Sequence, residues 1–90
     1  MYKIFEITYN DGGWHSGDLP HFFYIAKNKE EVVVNSQKYK KFLERKKLYG
    51  GDIRVHEVSG MFQEFYFENL NDFNIEIDIK KKELINSNFI

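Results

Sequence analysis

Apolar and polar residues alternate along residues 1–9, MYKIFEITY, with Lys3, Phe5, Ile7 and Tyr9 on one side and Tyr2, Ile4, Glu6 and Thr8 on the other. This period of two predicts a strand, and the apolar groups on both sides suit a central strand better than an edge one. Residues 10–21, NDGGWHSGDLPH, are rich in turn formers. Asp11-Gly12 can close a tight hairpin there, and Pro20 limits any further strand. Phe22 to Lys27 predicts the second strand. From Asn28 to Tyr49 the pattern becomes helical, with Val32, Tyr39, Phe42 and Leu43 on one stripe. Asn28 sits at N-cap with Glu31 three residues on, the spacing of a capping box. Glu30 and Glu31 at the start and Arg45, Lys46 and Lys47 at the end complement the helix dipole, and Gly50 follows where a left-handed residue is wanted. Only the run of three valines, Val32 to Val34, argues against a helix.

Beyond Gly50-Gly51, Asp52 to Val58 alternates as a third strand, with Ile53 and Val55 opposite Arg54, His56 and Val58. Ser59-Gly60 reads as a turn. Phe62 to Glu68 predicts a fourth strand, with Phe65 and Phe67 on one side and Glu64, Tyr66 and Glu68 on the other. After a turn at 69–72, Asn74 to Lys80 alternates most cleanly, with Ile75, Ile77 and Ile79 inward and Glu76 and Asp78 outward. Residues 83–90 read as a short helical turn or a frayed tail. The predicted order β-β-α-β-β-β makes one α+β domain over residues 1–90, a largely antiparallel sheet with one helix packed on one face. A β-grasp-like wiring and a meander on each side of the helix both satisfy this order. One helix leaves the second sheet face to polar residues, a loop or a partner.

Composition sharpens this picture in three places. Aromatics make up 18% of the 90 residues and alanine occurs once, so the core is built from large side chains. There is no cysteine, which excludes disulfides, thiolate zinc sites and cysteine nucleophiles. That absence, with an N-terminal stretch charged within six residues and no long apolar run, leads us to expect a cytoplasmic protein with no membrane association. Abundant Lys, Asn, Ile, Phe and Tyr beside scarce Ala and Pro suggest an AT-rich coding genome, as in low-GC bacteria and their phages.

The net charge of −1 conceals a segregation. Lys38 to Arg54 holds seven basic residues against Glu44 and Asp52, a net +5. Val55 to Ile79 holds six acidic residues (Glu57, Glu64, Glu68, Asp72, Glu76 and Asp78) and no Lys or Arg. Lys80 to Lys82 follow. Each block suggests a surface. The acidic row of Glu64, Tyr66, Glu68, Glu76 and Asp78, set on two adjacent strands, would attract a protein with a basic surface. It would equally discourage edge-to-edge aggregation. The basic helix, through Lys38, Lys40, Lys41, Arg45 and Lys47 with Tyr49 nearby for stacking, would neutralise nucleic-acid phosphates, although no DNA- or RNA-binding motif accompanies it.

Trp14 and His15 lie in a glycine-rich loop longer than a hairpin needs, so Trp14 is either an interface anchor or a cover for the bare sheet face. His15, His21 and His56 with nearby Asp residues have no metal-site spacing, and no cofactor is implied. Ser16 beside His15 lacks the strand-turn-helix setting of a nucleophile, solvated Glu76 and Asp78 lack the environment of an acid–base pair, and neither glycine pair fits a phosphate loop. The alternating last strand or the bare aromatic face offers a route to a homodimer. The sequence therefore leads to a non-enzymatic binding protein working through protein contact at the Trp14 loop and the acidic row. Its size and amino-acid usage fit a phage- or mobile-element-encoded inhibitor of a host nucleic-acid-handling protein. A nucleic-acid-binding module using the basic helix is the alternative.

Overall fold

The computed structural model describes residues 2–12, 19–70, 72–73 and 75–76. The elements follow the order β1 (Lys3–Asn10), β2 (His21–Ala26), α1 (Lys29–Asn35), α2 (Gln37–Tyr49), β3 (Asp52–Glu57) and α3 (Gly60–Glu68). The fold is α+β, with a three-stranded antiparallel sheet in the order β2-β1-β3. The alternating first strand is central, as its two apolar sides require. Phe5 pairs with Tyr24 on one flank and with Glu57 on the other.

The alternation of β1 sends its side chains into two cores. Phe5 and Ile7 join Phe22, Tyr24, Ala26 and Val32 on one face, where Tyr39, Phe42, Ile53 and Val55 close around them. Ile4 joins Ile25, Val58 and Ile75 on the other, covered by Tyr66, Phe67, Leu70 and Phe73. Both faces are therefore packed, the first by α1 and α2 and the second by α3 and the chain after it. This answers the expectation that one helix would leave a face bare.

Two of the predicted elements change. The helix expected over Asn28–Tyr49 is broken at Ser36, whose extended backbone ends α1 and starts α2. Valines and then Asn35-Ser36 explain the break, because β-branched residues are weak helix formers and Asn and Ser favour caps. Asn28 accepts from the Glu31 N–H as expected (2.9 Å), while the Glu31 carboxylate reaches back to the Lys27 N–H (3.1 Å). Leu43, expected on the buried stripe, is exposed.

The predicted fourth strand, Phe62–Glu68, is the helix α3. Aromatic-rich sequence satisfies strand propensity, but Gln63, Tyr66, Phe67 and Leu70 also recur at i, i+3, i+4 and i+7, and these are the residues turned to the sheet. Of the predicted fifth strand, Ile75 and Glu76 are described, and Ile75 is buried as expected. Glu76 forms a parallel bridge with Tyr24, its N–H donating to the Phe23 carbonyl (2.9 Å). This short parallel contact is made to β2 rather than to β1. Asn74, the stretch from Ile77 to Lys80 and the tail 83–90 lie outside the described residues.

Polar side chains complete the backbone bonding where the elements meet. The buried Ser36 donates its N–H to the Val32 carbonyl (3.0 Å), accepts the Tyr39 N–H at Oγ (3.1 Å) and donates its hydroxyl to Glu76 Oε2 (2.7 Å). Glu76 Oε1 accepts the Gln37 N–H (2.9 Å). Gln63 acts at the end of the β1–β3 ladder. Its Oε1 accepts the Ile4 N–H (2.8 Å), and its Nε2 donates to the carbonyls of Ile4 (3.1 Å) and Val58 (2.7 Å). At the other end, the Tyr9 hydroxyl donates to the Gly50 carbonyl (2.6 Å). Gly51 has φ +98°, and a side chain there would meet the Asn10 carbonyl and Asp11 Cα.

Two stability predictions follow from these junctions. Urea unfolding of Ser36→Ala, Glu76→Ala and the double variant is expected to show a coupling of ~1–3 kcal/mol between the two positions; additive effects would deny the interaction any energetic role. Gln63→Ala is expected to cost ~1–3 kcal/mol, because it strands the Ile4 N–H at a half-buried site.

Candidate functional site

Position along α3 decides which of its side chains meet the sheet and which meet solvent. Tyr66 faces inward, its ring 4.9 Å from that of Phe23 and 4.7 Å from that of Phe73. Phe65 lies at the margin, packing edge-on against Phe73 at 5.6 Å. With Gln63 bound to β1 on the same inner side, the opposite stripe is fixed outward. Met61, Glu64, Phe65 and Glu68, at i, i+3, i+4 and i+7, share that stripe with Phe62 beside them. Met61 is 82% exposed, Phe62 51% and Phe65 52%. Glu64 and Glu68 are exposed among them. The helix thus offers solvent a cluster of large apolar side chains interleaved with carboxylates.

This arrangement redraws the acidic row expected from sequence. Glu64 and Glu68 remain outward, but on a helix, so their spacing follows turns rather than alternate strand positions. Tyr66 leaves the row for the core. Glu76 is drawn to the α1–α2 junction, where it accepts from Ser36 and Gln37. Asp78, Trp14 and His15 lie outside the described residues, as do Ser16 and Asp18. The exposed apolar residues Met61 and Phe62 were missed in the sequence, since a strand reading gives them no common surface; the i, i+3, i+4 spacing from Met61 carried the signal.

The basic residues divide in a similar way. Lys38, Lys41 and Arg45, at i, i+3 and i+7 of α2, line an open groove of about 600 Å³ between that helix and the start of β2. Phe22, Phe42, Pro20 and Leu48 supply its apolar walls, with His21 and Glu44 also lining it. Phe22 and Phe42 meet edge-on at 5.3 Å, and Lys38 Nζ lies 5.9 Å from the centre of the Phe22 ring. Lys40 and Lys47 are exposed on another stripe of the helix.

Among the described residues, two ion pairs lie on the sheet surface. His56 Nε2 lies 3.3 Å from the Glu6 carboxylate directly across the β1–β3 pair, and Lys3 Nζ lies 3.1 Å from Glu57. His21 donates from Nδ1 to the Leu19 carbonyl (2.9 Å). Among the described residues no three His, Asp or Glu side chains gather to hold a metal ion, and no helix is long and apolar enough to cross a membrane. Comparison of the chain with protein-family models, curated proteins and solved structures finds no match.

The carboxylates are now separable by experiment. Glu64→Lys and Glu68→Lys are expected to change unfolding stability by no more than ~0.5 kcal/mol, as exposed positions do, whereas Glu76→Lys is expected to cost ~2 kcal/mol or more by breaking the junction. Equal urea midpoints for the three variants would show that the Glu76 contacts carry no stability.

Proposed function

We propose that the protein is a non-enzymatic binding protein that acts by contact with another protein through the outer face of α3. The observation that carries this reading is the exposed cluster of Met61, Phe62 and Phe65 on a single short helix. Large apolar side chains grouped at the surface lose contact with water when a partner covers them, and aromatic residues and methionine are favoured at the centres of such contacts. Glu64 and Glu68 border the cluster and define the complementary surface: an apolar pocket with a basic rim. A helix held to its sheet by Gln63, Tyr66 and Phe67 presents these groups with little further loss of conformational freedom.

A basic-rimmed surface of this kind is typical of proteins that handle nucleic acids. The chain would occupy such a surface in place of nucleic acid and so act as an inhibitor, a role in keeping with a small phage or mobile-element product. The Trp14 loop belongs to this proposal as a second contact. The wild-type protein is to be used as bait in nuclease-treated lysate of its source cell, beside the variants Phe62→Ser and Glu64→Lys/Glu68→Lys. A discrete protein retained by wild type and lost from both variants, with unchanged circular dichroism, is the expected result. Retention of the same protein by both variants would remove α3 from the contact.

A further inference from the structure

We propose that the groove between α2 and the start of β2 binds the sugar–phosphate backbone of single-stranded nucleic acid, on the sheet face opposite to α3. Lys38, Lys41 and Arg45 form its charged side. At ~1.5 Å rise per residue they span ~10.5 Å along the helix axis, a length that holds about three phosphates of one strand. No carboxylate pairs with any of the three among the described residues, although Glu44 lines the same groove. Like charges grouped along one side of a groove repel one another, and a bound polyanion relieves that repulsion.

The surroundings favour a long anion over a small one. Lys40, Lys46 and Lys47 are exposed on the same helix, so the positive field continues beyond the groove itself. They favour a strand over a duplex as well, because the groove has apolar walls against which unstacked bases can lie. Partly exposed Phe42 and exposed Leu48, Pro20 and His21 line it, while Phe22 is buried behind them in the core. Backbone phosphates on a line of cations with bases against apolar and aromatic groups is the general chemistry of strand binding without sequence preference.

The test is fluorescence anisotropy of a labelled 12-nucleotide oligothymidylate between ~50 and ~200 mM salt, with the full chain. Wild type is expected to bind with a log–log salt slope near −2, from three contacts at ~0.7 each. The groove variant Lys38→Gln/Lys41→Gln/Arg45→Gln is expected to bind about tenfold or more weakly, with its slope reduced to below ~1. The off-groove control Lys40→Gln/Lys47→Gln carries one charge change fewer. It should lose less than about threefold, and all three proteins should share one urea midpoint within error. Equal losses in both variants would reduce the effect to a diffuse field and overturn the site. Tighter binding of a 12-base-pair duplex, or equal binding of an oligoglutamate peptide of matched charge, would overturn the assignment to a single strand. These outcomes are independent of whether α3 contacts a protein.

Discussion

The buried hydroxyl of Ser36 and the carboxylate of Glu76 form the contact on which the arrangement of the helices depends. Ser36 ends one helix and begins the next, so its backbone and side chain satisfy groups that a continuous helix would have bonded internally. Because Ser36 is fully buried, the hydroxyl hydrogen left over once Oγ has accepted the Tyr39 N–H needs an acceptor of its own. Glu76 provides that acceptor from forty residues away. The same carboxylate takes the N–H of Gln37 in the first turn of α2, where the positive end of the helix dipole favours negative charge. Because the Glu76 backbone is bonded to β2, one residue links the start of α2 to the edge of the sheet.

Gln63 does the equivalent work on the opposite face. Its primary amide has an acceptor and donors as a peptide unit does, and it joins Ile4 to Val58, whose own N–H donates to the Ile4 carbonyl. The β1–β3 ladder therefore ends in a side chain, and the helix carrying it is anchored to the central strand. With the helices fixed in this way, the sheet divides the molecule's charge. The cationic α2 lies over the Phe5–Tyr24 core, and α3 with Glu64 and Glu68 lies over the Ile4–Ile25 core. Two surfaces of opposite chemistry are held apart by one layer of strands.

The α+β class, the central first strand, the second and third strands, the Asn28 cap and the charge segregation were legible because each rests on local rules of period, capping and composition. The break at Ser36 was half visible, since the three valines weaken a helix, but the acceptor that makes the break stable comes from Glu76 and no local pattern announces it. The segment from Met61 to Glu68 was misread for a different reason. Phe62, Phe65, Tyr66 and Phe67 satisfy an alternating and a helical period at once, and aromatic residues favour strands until tertiary contacts decide otherwise. The choice is made by Gln63, a polar residue on the inner stripe whose partners lie in β1. Candidate surface residues followed the same division. Lys38, Lys41 and Arg45 share a stripe readable from helical spacing, while the acidic row depended on a strand that is a helix.

The central position of β1 also has a temporal meaning. One edge of this strand is bonded to β2, but the other is bonded to β3 and Gln63, more than forty residues further along the chain. At roughly 5–20 residues per second, ribosomal synthesis needs about two to ten seconds to make that intervening chain. During that interval the only described strand partner available to β1 is β2, and a two-stranded ribbon of this kind has marginal stability alone. Phe5 and Ile7 can meet α1 and α2, which precede β3 in the chain, but Ile4 waits without its final cover. β1 is made before the other described strands yet is among the last to be enclosed, and the nascent chain is exposed to association through its Ile4–Ile25 face until α3 has emerged.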